Sequence, residues 1–92
     1  MPEIFRKYGF IFFFYSREHE PIHVHVAGEN GVVIYDLVNG NFIQRDIKGR
    51  IKASSIKKIE LTLHNNKDLV IETWNRYFDL ESDENDNEED LV

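Results

Sequence analysis

The chain predicts an α+β domain, an antiparallel sheet of three to four strands followed by two C-terminal helices packed on one of its faces. Two periods predict it: apolar residues alternate as far as Gly49 and recur at helical spacing after it. Turn signals at Gly28-Glu29-Asn30-Gly31 and Asn39-Gly40 cut the first half into short pieces that suit hairpins.

Residues 10–15, Phe-Ile-Phe-Phe-Phe-Tyr, are β-favouring and apolar on both alternating faces, as a central strand requires. A short extended piece at residues 4–6 leads into it. Residues 16–21 form a polar connection closed by Pro21, and a strand follows over residues 22–27. Beyond the glycine-rich turn, residues 32–38 make the next strand and residues 41–46 a weaker fourth one. Ile56, Ile59 and Leu63 then follow helical spacing behind Ser54 or Ser55 as N-cap. Asn65-Asn66 interrupts the pattern, which resumes at Leu69, Val70, Trp74, Tyr77 and Phe78. Trp74, Tyr77 and Phe78 share a helix face and read as its anchor in the core or at a partner surface.

Ninety-two residues support one domain, placed at residues 1–78. Residues 79–92 form an acidic tail expected to lack fixed structure from about residue 80, because it buries too little to offset its ordering entropy. Eight carboxylates in that tail account for the net charge of −6, while residues 1–78 hold nine acidic against eleven basic side chains. The absence of cysteine excludes a disulfide framework and a thiolate metal site. No apolar run approaches the roughly 20 residues that cross a bilayer, and no signal-peptide pattern opens the chain, so a cytoplasmic address without membrane attachment is expected. Two short helices cover one face of a small sheet. The apolar groups on its other face therefore predict an intermolecular interface, a homodimer or a dedicated protein partner.

Chemistry concentrates in Glu18-His19-Glu20-Pro21-Ile22-His23-Val24-His25-Val26. Alternation along a strand buries Ile22, Val24 and Val26 and projects His23 and His25 together from the opposite face. The pair has three readings. It is a polar strand face whose rings bond to neighbours or water, or an acid–base pair able to cleave RNA without a metal, with no cofactor needed. In the third it is a zinc site completed by His19, Glu20 or Asp36. Arg17 is placed to contact a phosphate in the second reading. Arg45, Lys48, Arg50, Lys52, Lys57 and Lys58 form the densest basic stretch and a candidate track for a nucleic-acid backbone, although no interleaved aromatic marks a base-stacking platform. His64 closes the first helix, where the dipole favours a cation, and receives no catalytic role. There is no glycine-rich phosphate loop and no serine or cysteine nucleophile in a recognisable setting.

The opening Met1-Pro2-Glu3-Ile4-Phe5-Arg6, the run from Phe12 to Val26 with its Phe-Phe-Tyr-Ser-x-Glu-His-x-Pro-x-His-x-His-Val pattern, and the ending Glu72-Thr73-Trp74-Asn75-Arg76-Tyr77-Phe78 resemble the DUF4160 family of small bacterial proteins. The resemblance implies a gene neighbour of the DUF2442 type, in an arrangement similar to type II toxin–antitoxin pairs with this chain as the toxin-like member. It would supply the protein partner and a catalytic setting for His19, His23 and His25. Residues 32–50 follow the family pattern loosely, and the acidic tail is extra to it.

Overall fold

The protein, described by a computed structural model over residues 3–15 and 22–90 with side chains as far as Phe78, carries a five-stranded antiparallel sheet in sequence order. Its strands are β1 (Glu3–Lys7), β2 (Phe10–Phe13), β3 (His23–Ala27), β4 (Gly31–Val38) and β5 (Asn41–Gly49), followed by helices α1 (Ala53–Asn65) and α2 (Lys67–Asp90). The α+β class and helix order are as expected. The strand count is one higher, because the N-terminal piece is a full strand that pairs with β2. Tyr8 and Gly9, at φ 56° and 78°, form the two-residue turn that joins Lys7 to Phe10. Asn39 and Gly40, at 50° and 81°, do the same between Val38 and Asn41. Positive φ at both turn residues matches the right-handed twist of the flanking strands.

Strand β5 runs to Gly49, past the expected end at residue 46, because its far end pairs with the start of β4. The approach there is close: a Cβ on Gly31 would lie 2.7 Å from the Lys48 carbonyl oxygen and 2.8 Å from the Arg50 nitrogen. The Arg50 N–H donates to the Asn30 carbonyl at 3.0 Å and locks the contact. A bulge in β5 falls at Arg45, since Tyr35 pairs with Gln44 and Ile34 with Asp46.

Only one sheet face carries the helices. Phe12, Val24, Val26, Val33 and Tyr35 pack beneath Ile59 and Leu63 of α1 and Val70 of α2, all completely buried. The four-residue spacing of Ile59 and Leu63 lays both on one stripe. Tyr35 is buried to its hydroxyl, which donates to Glu60 Oε2 at 3.1 Å. Burial first, and the Glu60 carboxylate second, raise its pKa above the ordinary tyrosine value.

Helix α1 starts at Ala53, with Lys52 as N-cap, so Ser54 and Ser55 lie inside its first turn and do not cap it. Ile51, packed against the core, sets where the chain turns out of β5 and thus where the helix begins. The break at the asparagines is as read. Asn66 donates its backbone N–H (3.0 Å) and Nδ2 (2.8 Å) to the Thr62 carbonyl, and its own carbonyl accepts the Val70 N–H at 3.0 Å. Leu69 is exposed, while Val70 and Trp74 form the buried stripe of α2. The helical backbone of α2 continues to Asp90, past residue 80 where regular structure was expected to end. No glycine or proline follows Gly49, so the sequence contains no breaker to stop it. Among the described residues no helix is long and apolar enough to cross a membrane.

Replacing Gly31 by alanine forces a methyl against the backbone of Lys48 and Arg50. The expected loss is about 1–3 kcal/mol, read as a lowered urea midpoint, whereas an unchanged midpoint would show that the contact relaxes freely.

Candidate functional site: the histidine strand

The register of β3 sets the surroundings of its two histidines. His25 lies between Phe13 of β2 and Ile34 of β4, and His23 lies opposite Asp36. Alternation places both rings on the sheet face away from the helices, as expected. They are not an open surface pair, however: His23 is 4% and His25 7% exposed. The His25 ring stacks on Phe13 (5.3 Å between centroids, planes 19° apart) and meets the Tyr15 ring edge-on at 4.7 Å. His23 meets His25 edge-on at 5.4 Å and Trp74 at 5.5 Å.

Trp74 can reach His23 because the end of β2 holds it. Phe14, completely buried, packs on Trp74 at 5.0 Å and on Tyr77 and Phe78 at 5.6 and 5.9 Å. The anchor residues of α2 therefore close around the chain just beyond β2 and wall the start of β3. The strand face that carries the histidines is thus an aromatic enclosure rather than an open surface. The aromatic spacing in α2 signalled an anchor, but not that a histidine belonged to it.

Asp36 is the charged neighbour of this enclosure. Arg45, re-aimed by the bulge in β5, donates from Nε to both Asp36 carboxylate oxygens at 3.0 Å, and its Nη2 also contacts Oδ1. The hydrogen bond from Arg45 is the main cause that holds the Asp36 carboxyl below the usual carboxylate range, with the charges of Arg45 and His23 acting in the same direction against partial burial. Arg45 is thus tied to Asp36 and leaves the basic track in which its sequence neighbours placed it.

The other candidates divide into two groups. Lys48, Arg50, Lys52, Lys57 and Lys58 are all exposed. Arg50 and Lys52 border a cleft shared with the turns at Tyr8-Gly9 and Gly28–Gly31. Those turns lie at the other end of β3 from His23, roughly 16 Å away by strand rise, so the structure does not bring this group to the histidines. Arg17, His19 and Glu20 lie outside the described residues. Among the described residues, no three histidine, aspartate or glutamate side chains gather as a metal-binding group. The His19, His23, His25 set lies partly beyond them.

A small antiparallel meander backed on one face by a helix pair, with two enclosed histidines on its middle strand, defines the architecture. The chain belongs to the family described as "Domain of unknown function (DUF4160)", whose pattern it matches over residues 9–75, more than half its length. The match spans β2 through the Trp74 turn of α2 and so includes both histidines with Phe13, Phe14, Tyr15 and Trp74, and stops short of Tyr77 and Phe78. No curated protein and no solved structure matches the chain.

A carboxylate whose folded-state pKa is lowered contributes stability above its unfolded value near 3.9 and loses it as pH falls through the lower folded value. Arg45→Gln is therefore expected to cost about 0.5 kcal/mol at pH 7, a figure kept small by the exposure of the arginine, and to cost less at pH 3. Urea titrations at both pH values check this, and an equal loss at both would refute the assigned role of the pair.

Proposed function

We propose that this protein is the toxin-like member of a bacterial two-protein module, resident in the cytoplasm, and that it acts by binding a DUF2442-like partner protein rather than by cutting a substrate. One observation carries the preference for binding: both imidazoles are enclosed by aromatic rings, with 4% and 7% of their surfaces exposed. A general acid or base has to come within hydrogen-bond reach of its substrate. Enclosed histidines act more simply as interior groups that fix the start of β3.

The surface that suits a partner is β5. It is an edge of the sheet, exposed along residues 43–49, and Val38, Ile43 and Ile47 present apolar side chains beside it at 46%, 52% and 36% exposure. An edge strand offers unpaired backbone groups to an added strand, and apolar side chains along it supply affinity. A second copy of this chain would use the same surface, which makes a homodimer the outcome to distinguish.

A second reading keeps the acid–base role. His23 faces Asp36, and Arg45 fixes that carboxylate, so a group able to orient an imidazole is in place. In that case the histidine face would act on RNA once a substrate gained entry.

Co-expression with an encoded DUF2442-like neighbour is expected to give a stable hetero-complex, weakened about tenfold or more by Ile43→Glu with Ile47→Glu. Absence of a complex by size exclusion, or equal affinity of the variant, sinks the binding reading. Growth arrest on induction of the wild type, lost in His23→Ala at matched soluble levels with the complex intact, would transfer support to the acid–base reading.

A further inference from the structure

Three segments distant in sequence meet at the end of the sheet remote from His23: the Tyr8-Gly9 turn, the Gly28–Gly31 turn, and the connection from β5 into the first turn of α1. They border an open cleft of about 280 Å³. Arg50 and Lys52 line it. Lys7 and Lys58 place their ammonium groups 5.3 and 5.5 Å from the centre of the Tyr8 ring, which also lines it. Among the described residues Glu29 is the one acidic side chain lining the cleft, and none stands in the first turn of α1 to neutralise these cations.

Tyr8 itself is difficult to explain by folding. It holds a left-handed backbone at φ 56°, a conformation that glycine or asparagine adopts with less strain, and the residue is 56% exposed. A bulky aromatic at a strained turn tip, flanked by two lysines, contributes little to the core. We propose that this end of the sheet is a binding site for single-stranded nucleic acid, with Tyr8 stacking on an unpaired base and Lys7, Arg50, Lys52 and Lys58 contacting phosphates on either side. An aromatic platform inside a cationic groove is the chemistry that holds single strands with little regard to sequence. The basic run in the sequence lacked an aromatic. The fold supplies one, from a turn more than forty residues upstream of Arg50.

The site lies just past the end of β5 and away from the histidines, and its test reads RNA binding rather than complex formation, so it does not depend on the partner reading. The full-length protein is titrated into a fluorescein-labelled, mixed-sequence RNA of about ten nucleotides, a length within the range spanned by small single-strand-binding folds, and anisotropy is followed at several salt concentrations. Salt-sensitive binding is expected. Arg50→Ala/Lys52→Ala/Lys58→Ala is expected to weaken it about tenfold or more and to flatten the salt dependence. Tyr8→Asn suits the turn and keeps every cation, so it is expected to weaken binding about fivefold or more with no loss of melting temperature. No binding by the wild type at low salt overturns the proposal. So does equal binding of the fully paired duplex, which offers phosphates but no free base, or wild-type affinity in Tyr8→Asn.

Discussion

Burial of β3 on both faces is the constraint on which the rest of the molecule depends. Strand geometry sends Val24 and Val26 to one side and His23 and His25 to the other, so each side needs its own cover. The helices serve the valine side: Ile59, Leu63 and Val70 close over Val24, Val26, Val33 and Tyr35. The histidine side relies on Phe13 of the neighbouring strand, on Tyr15 just beyond its end, and on Trp74 from α2. Trp74 is therefore the hinge between the two layers. It belongs to the same helical stripe as Val70, yet its ring touches His23, and Phe14 is the residue that holds it there. Loss of Phe14 would loosen the helix anchor and the histidine enclosure together, a coupling absent between residues that serve only one layer.

Much of this was legible in the sequence wherever local chemistry decides the outcome. Asn39-Gly40 can adopt positive φ at both turn positions, and Asn66 can cap one helix and open the next, so these boundaries followed from residue type alone. The first strand was half-seen, because Tyr8 is an uncommon turn residue and hid the hairpin that Gly9 completes. The start of α1 is less legible because a serine near a helix start suggests a cap, whereas Ile51, packed against the core, sets the entry two or three residues earlier, at Lys52. Side-chain environment was the least legible property. Alternation gives the face on which His23 and His25 stand but cannot report what covers that face, and here the cover comes partly from a helix some fifty residues later.

The Asp36–Arg45 pair shows how a small backbone irregularity changes the meaning of a charge. In sequence, Arg45 begins a basic run. In the sheet, the extra residue at the bulge turns it across the β4–β5 hairpin to Asp36, and one cation becomes part of the frame around His23. Bulges near a sheet edge also discourage indiscriminate pairing of that edge. A distortion in the middle of β5 is consistent with a strand that accepts a particular partner while resisting open-ended stacking of copies.

Net charge is a poor guide to what such a molecule attracts. The value of −6 is set by carboxylates beyond Phe78, whereas the cleft beside Tyr8 is lined by Arg50 and Lys52 with Glu29, and Lys7 and Lys58 stand over the Tyr8 ring. At physiological ionic strength, exposed charges farther apart than about 8 Å are largely screened from one another. A polyanion touching the cleft therefore responds first to the cations beside it, and lowering the salt strengthens its repulsion by the net negative charge of the chain as well as the attraction of the cleft. The two effects oppose each other. The salt dependence of binding would consequently be shallower than four phosphate contacts alone would give, because part of the attraction gained at low salt is offset by repulsion from the net negative charge of the same chain.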